Sequence, residues 1–174
     1  MRMIQRSVTG LTALAIGTCW LALSAAAQAP DVDLWFIDNM TAHHQGAVDM
    51  ATDALKKAKH PELKTFARQI IKDQNGEISQ MKKWRNAWYK GAPSAKSKNI
   101  PGMQMPAKTP PGGGYDVQFL HDMMAHHEGA IEMSKEALDK GKRPEIKQLA
   151  QKIIKAQEAE IEKMKRWKTE WEKA

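Results

Sequence analysis

Two stretches of this chain carry methionines and histidines at the spacing of a single helix face. Each has the pattern Met-x-x-His-His-x-Gly-Ala-x-x-Met, first at 40–50 and again at 123–133. At 100° per residue, the methionines and histidines of each copy fall within one arc, which predicts that they face the protein interior. Thioether and imidazole groups bind soft and borderline metal ions, so the pattern predicts a metal site. The candidate ligands are Met40, His43, His44, Met50, Met123, His126, His127 and Met133.

A second helical stripe follows each motif, with the pattern Gln-x-x-Glu-Ile-x-x-Met at 74–81 and 157–164. Its carboxylates, Glu77 and Glu160, have three interpretations: metal ligand, acceptor for a histidine N–H, or partner of a buried lysine. We favour the acceptor role, because a carboxylate that accepts from a ligating imidazole fixes its tautomer and raises its basicity. Further candidate ligands are Met81, Met164, Met103, Met105 and His121.

Each methionine taken singly is more typical of core packing than of metal binding, since methionine readily fills gaps between helices. The paired histidines favour the metal interpretation, because burying several imidazoles is costly unless they bond to one another or to a cation.

The two motif copies belong to an internal duplication. A shift of 83 positions aligns 36–88 with 119–171 without a gap, and 26 of the 53 pairs are identical. Within each copy, a proline at 61 or 144 separates two apolar stripes of helical period, and proline is well tolerated in the first turn of a helix. The sequence therefore predicts two helical hairpins, at about 31–89 and about 115–174, joined by a Pro/Gly-rich crossover linker at 90–114. Neither hairpin can bury its stripes alone, so we expect an all-α four-helix bundle.

The N-terminal segment is typical of a secretory signal. Basic Arg2 and Arg6 precede a largely apolar run, and Ala27-Gln28-Ala29 supplies the small residues of a cleavage site. We expect residues 1–29 to be removed, leaving a single domain at 30–174 that is periplasmic or otherwise exported and has no stable membrane span. Removal would also take away Cys19, the one cysteine of the chain, so any soft ligand left is a methionine.

Composition narrows the function classes. Of the 174 residues only 6% are aromatic, and 27% are charged, which favours helices over a β-sandwich. Residues 30–174 hold 25 basic and 20 acidic side chains, interspersed rather than clustered, so no nucleic-acid partner is expected. Thioethers with imidazoles and no thiol favour copper, Cu(I) before Cu(II), over zinc, calcium or magnesium. The expected partners are the metal ion and a copper-delivery or efflux protein.

The doubled Met-x-x-His-His-x-Gly-Ala-x-x-Met motif and the two Gln-x-x-Glu-Ile-x-x-Met segments resemble the domain of unknown function 305 family. The likeness extends over roughly 31–171. It implies a ferritin-like helical bundle, often exported, in a family whose characterised members are linked to periplasmic copper binding and tolerance.

Two other functions remain open from the sequence. A ferritin-like bundle could house a dinuclear iron or manganese oxidase, but such sites use Glu-x-x-His motifs, which this chain lacks. A non-catalytic, envelope-associated structural bundle would tolerate loss of the histidines. We expect a copper-binding protein rather than an enzyme.

Overall fold

The computed structural model describes residues 31–104 and 114–173, and all regular secondary structure in these ranges is helical. The helices are α1 (Val32–Lys57), α2 (Pro61–Trp88), α3 (Tyr115–Lys140) and α4 (Pro144–Trp171). α1 pairs with α2, α3 pairs with α4, and the two hairpins pack together through α1 and α3. The predicted all-α four-helix bundle is confirmed. The predicted signal segment and Met105 lie outside the described residues. None of the described helices combines the length and hydropathy that a membrane span requires.

Two apolar clusters form the core, one toward each end of the bundle. One contains Phe36 and Met40 from the start of α1, and the other contains Ala47 and Ala51 from its second half. α2 likewise contributes Ile70 to one cluster and Met81 to the other. Between these positions, every helix carries buried or half-buried polar residues of the two motifs. A polar layer therefore crosses the middle of the bundle and separates the two apolar clusters.

The aspartates near the starts of α1 and α3 hold the two hairpins together. Asp33 is 1% exposed, and its carboxylate accepts hydrogen bonds from the backbone N–H groups of Lys142 and Arg143, at 2.9 and 3.1 Å. Asp116 accepts in the same way from Lys59 and His60, at 3.0 and 2.7 Å. These N–H groups belong to the N-cap residues of α4 and α2 and to the residues before them, at helix ends whose N–H groups have no acceptor within the helix. Each aspartate therefore caps the second helix of the other hairpin.

The Asp116 contact yields a stability prediction. Burial raises the pKa of Asp116, but the hydrogen bonds from His60 and Lys59 outweigh it and hold the pKa below its ordinary value. In Asp116→Asn, the side-chain amide would place its own N–H groups against the backbone N–H groups of Lys59 and His60. We therefore expect the free energy of unfolding to fall by about 2 kcal/mol. Urea denaturation at neutral pH measures the change. Asp139→Asn, at an exposed position of α3, is the control and should be neutral. Equal stability of the two variants would contradict the capping role.

Stacked tryptophans lie at the two ends of the bundle. The rings of Trp84 and Trp88 stack at 5.2 Å, and the Arg143 guanidinium lies 4.1 Å from the Trp88 ring centre. At the opposite end, the rings of Trp167 and Trp171 stack at 5.5 Å, and Trp171 also stacks on His60 at 3.9 Å. Position 143 in one hairpin corresponds to 60 in the other, so each tryptophan pair meets the residue that precedes the facing helix.

The first part of the linker is fixed along α1. The Asp38 carboxylate accepts from the Ala95 backbone N–H at 2.9 Å, and Asn39 exchanges hydrogen bonds with the backbone of Ala95 and Ser97 at 3.1 and 2.7 Å. Ile100 is buried among the core side chains. The linker through residue 104 therefore packs against the bundle as an ordered strap.

Candidate metal centre

Four histidine side chains fill the polar layer in the middle of the bundle. His43 and His44 come from α1, and His126 and His127 come from α3; none is more than 2% exposed. Because adjacent residues diverge by 100°, one histidine of each pair turns toward the facing α1 or α3 helix and the other toward its own hairpin partner. The rings of His43 and His126 meet across the α1–α3 contact, with centroids 3.7 Å apart and planes tilted by 40°.

The outer histidine of each pair bonds to a carboxylate. His44 Nε2 lies 2.8 Å from Glu77 Oε2, and His127 Nε2 lies 2.7 Å from Glu160 Oε2. With the carboxylates accepting, Nε2 carries the proton and Nδ1 of each ring presents a lone pair. This is the acceptor geometry that the sequence predicts for Glu77 and Glu160. Their role toward a metal stays a prediction.

Six buried nitrogens of this layer have no hydrogen-bond partner within the described residues. They are both ring nitrogens of His43, both of His126, and Nδ1 of His44 and His127. A buried polar group without a partner lowers the free energy of unfolding by roughly 1–3 kcal/mol. Six of them in one layer therefore indicate a function other than stability. Each neutral ring has one N–H and one lone pair, so the four histidines have four lone pairs in this layer that are suited to a cation.

The environment keeps the central pair neutral and therefore able to ligate. Burial, followed by the proximity of His126 and His44, lowers the pKa of His43 far below its ordinary value of 6.5. Burial and the neighbouring His127 and His44 lower the pKa of His126 to about 3. Only a neutral imidazole has a lone pair for a metal. At neutral pH both rings are thus in the ligating form.

The two carboxylates differ in their second contact. Glu77 Oε1 lies 3.3 Å from Lys152 Nζ. Burial raises the pKa of Glu77, but the His44 hydrogen bond and the Lys152 charge together hold it below its ordinary value. Glu160 instead borders a cavity of about 440 Å³ between α2 and α4, which Gln69 and Trp167 also line. Gln69 occupies the position that Lys152 has in the other copy, so the duplicated layer is not fully symmetric.

The predicted methionines fall into two groups of three, one on each side of the histidine layer. Each group takes two methionines from one hairpin and one from the other, and all except Met50 are at most 1% exposed. One group is Met40, Met81 and Met133, and the other is Met50, Met123 and Met164. The structure therefore places five of the six predicted helical thioethers within the apolar clusters and Met50 partly buried against one of them.

Two other candidates have different positions. His121 is half-buried at the surface of α3 and bonds to Asp122 at 3.2 Å, away from the histidine layer. His121 therefore lies apart from the other predicted metal ligands. Met103 is 39% exposed and lies on the strap beside Gly46, at the level of the layer.

The sequence analysis did not identify the residues that anchor the strap. Asp38 and Asn39 anchor the linker, and their counterparts in the second copy are His121 and Asp122, since only one linker exists to be held. The mismatch between the two copies at these positions was the available signal.

The donor set selects the class of metal. No group of three or more His, Cys, Asp or Glu side chains in residues 31–104 and 114–173 is arranged to hold an ion. The donor types present are imidazoles in the layer and thioethers in the adjoining clusters, and these types suit copper better than hard ions. The residues present therefore fit a soft ion of low coordination number.

The Domain of unknown function (DUF305) model matches residues 33–168, which include all four helices almost completely. The chain belongs to the DUF305 family. Both motif copies and the whole histidine layer lie within the matched region.

Solved structures of the family share the fold. CopM in its Cu(I)-bound form is 40% identical, with a TM-score of 0.68, over 80% of this chain and 96% of that chain. CopM has also been solved in apo, Cu(II)-bound and silver-bound forms. A DUF305 fragment from Deinococcus radiodurans is 27% identical, with a TM-score of 0.68, over 82% of this chain and 97% of that chain. A shorter match, 49% identical over 49 residues, is to the uncharacterized protein L153 of Acanthamoeba polyphaga mimivirus; it spans 28% of this chain and 32% of that protein.

Proposed function

We propose that this chain is an exported copper-binding protein that takes up Cu(I) at its central histidine layer and sequesters it or passes it on. The observation that carries the proposal is the set of six unpartnered imidazole nitrogens buried between two groups of methionines. Similarity to CopM, which was solved with Cu(I), Cu(II) and silver, supports a copper-linked role. Export rests on the signal-like pattern of residues 1–29.

His43 and His126 are the central ligands in this proposal. They face each other from two hairpins, and their lowered pKa values keep their lone pairs free at neutral pH. His44 and His127 offer Nδ1 at the edge of the same layer, while Glu77 and Glu160 hold their tautomers. Thioethers from either methionine group complete the coordination of a soft ion and favour Cu(I) over Cu(II). Copper is the cargo, and no covalent bond of a substrate need be broken.

Anaerobic titration of the mature protein with Cu(I), against a chromophoric competing chelator, tests the proposal. We expect saturable binding that competes with the chelator, and a stoichiometry that gives the number of sites. X-ray absorption of the loaded protein should contain both nitrogen and sulfur scatterers. Binding no tighter than that of a histidine-free helical bundle would reject the proposal and favour a structural role in the envelope.

The same titration separates copper binding from the dinuclear oxidase. That alternative requires tight binding of Fe(II) or Mn(II), which prefer carboxylate ligands. In the polar layer, the carboxylates Glu77 and Glu160 are each bonded to a histidine, which supports the softer ion. Preference for Fe(II) over Cu(I) at equal concentration would reverse our assignment.

The carboxylates of Glu77 and Glu160 give a prediction about Cu(I) affinity. In Glu160→Gln, the acceptor for His127 Nε2–H loses its charge, so the ring loses basicity and orientation. Carboxylates that support ligating histidines typically contribute 10–100-fold to metal affinity, and we expect a loss of roughly tenfold. Glu77→Gln should act likewise through His44. Competitive Cu(I) titration measures both, and Glu158→Gln, at an exposed position of α4, is the matched control. An unchanged affinity in both variants would show that the outer histidines do not ligate.

A further inference from the structure

The strap that follows α2 crosses the bundle directly over the central histidine pair. A Cβ added at Gly129 of α3 would lie 2.4 Å from the Pro101 carbonyl carbon and oxygen, and one added at Gly102 would lie 2.7 Å from the His126 carbonyl oxygen. Gly102 also has a φ of +74°, which other residues rarely adopt. Glycine on both sides thus allows the strap to lie against the backbone of α3 at the turn that carries His126.

Met103 is the strap residue that reaches into the layer. Its Sδ lies 3.0 Å from the position of a Cβ on Gly46, and His126 Nε2 lies 3.2 Å from the same point. The thioether and the unpartnered imidazole nitrogen therefore converge on the space that the missing side chain of Gly46 leaves in α1. His126 is 2% exposed, whereas Met103 is 39% exposed. A partly exposed thioether thus lies near a buried nitrogen that has no hydrogen-bond partner in the described chain.

This contact breaks the symmetry of the duplication. Each hairpin supplies its own histidines, carboxylate and core methionines, but the strap is present once and places a single thioether over the α1–α3 contact. Hydrogen bonds to Asp38 and Asn39, and the buried Ile100, hold the strap against the bundle on the approach to Met103. The strap consequently holds the Sδ and methyl group of Met103 beside Gly46, while the residue as a whole stays 39% exposed.

We propose that Met103 is the relay ligand through which Cu(I) is exchanged between the exterior and the His43–His126 pair. The inference rests on the proposed copper function. Cu(I) first binds the accessible thioether; a bond from His126 Nε2 then forms as the bond to the external ligand breaks, and release follows the reverse order. No electron is transferred, and the thioether takes up no proton at any step.

The test compares the wild-type protein with Met103→Leu, which keeps an apolar side chain of similar size but removes the sulfur donor. Stopped-flow mixing with a chromophoric Cu(I) chelator measures the rate of release, mixing with Cu(I) measures uptake, and titration measures Kd. If Met103 is a relay ligand, the rates of uptake and release should both fall tenfold or more while Kd changes less than threefold. A ligand that binds Cu(I) only during exchange changes both rates by the same factor and leaves their ratio unchanged. Met124→Leu, at a half-buried position of α3 that packs against the apolar cluster containing Ala47, is the matched control.

A second variant leaves the sulfur in place. Gly46→Ala puts a methyl group into the space where the Met103 sulfur and His126 Nε2 converge, so it should slow uptake and release in the same way without removing a donor. The outcomes are distinguishable. If wild-type protein does not bind Cu(I), the copper function fails and the relay fails with it. Unchanged rates in Met103→Leu overturn the relay alone. Faster release at unchanged uptake would make Met103 an ordinary ligand of the bound state and would also overturn it.

Discussion

Replacing His43 and His126 by alanine should weaken Cu(I) binding by on the order of 1,000-fold, or about 4 kcal/mol. These two rings supply four of the six unpartnered nitrogens and meet at 3.7 Å between the hairpins, so no other pair in the described chain can substitute for them. Without them, thioethers and the outer histidines remain, which leaves weak and dispersed Cu(I) binding. Competitive titration under anaerobic conditions measures the change in Kd.

The matched control is His60→Ala with His121→Ala, which also removes two imidazoles from the chain. His60 stacks on Trp171 near the bundle end, and His121 bonds to Asp122 at the surface, so neither belongs to the layer. This control should keep wild-type affinity for Cu(I). A variant with leucine at positions 43 and 126 fills the space that alanine leaves open and guards against loss of fold as the cause. Equal affinity in the layer variant and the control would reject the central pair as ligands.

The fold was predictable because its determinants are local and repeated. Apolar residues at helical spacing, with Pro61 and Pro144 at helix starts, predicted the four helices, and each helix needs the other hairpin to cover its stripe. The inward position of His43, His44, His126 and His127 followed from the same periodicity. These features depend only on which residues share one face of a helix, and the spacing of residues in the sequence determines that.

The contacts between hairpins were not predictable in this way. That Asp33 and Asp116 cap helices of the opposite hairpin depends on how the two units are placed in space, and the pattern around each aspartate equally suits its own helix. The strap posed the same problem, because a Pro/Gly-rich segment predicts only that helix is absent. Asp38 and Asn39 show their function only when the segment at 95–97 lies beside them. Which thioethers bind a metal is likewise undetermined by helical spacing, since packing uses the same positions.

The buried neutral imidazoles should make the metal-free protein lose stability on mild acidification. In the unfolded chain, histidine takes up a proton near its ordinary pKa of 6.5, whereas in the folded protein burial lowers the pKa of His126 to about 3 and that of His43 further still. Below pH 6.5 the unfolded state therefore binds more protons than the folded state, and the free energy of unfolding falls as the pH falls. Each imidazole contributes about 1.4 kcal/mol per pH unit, so the pair should remove about 4 kcal/mol between pH 7.5 and pH 5.

Urea denaturation of the metal-free protein at pH 7.5, 6 and 5 measures this loss, and the leucine variant at positions 43 and 126 isolates its cause. That variant has no titrating group at the centre of the layer, so its stability should change much less over the same range. The range from pH 7.5 to pH 5 separates the histidines from the carboxylates, because the carboxylates lose their contribution to stability only at more acidic pH. The pKa of Glu77, for example, is lowered, so the stability it provides is complete above its ordinary pKa of 4.5 and falls below it. If the wild type and the leucine variant lost the same stability between pH 7.5 and pH 5, the histidine layer would not be buried in the neutral, ligand-ready state on which the copper proposal depends.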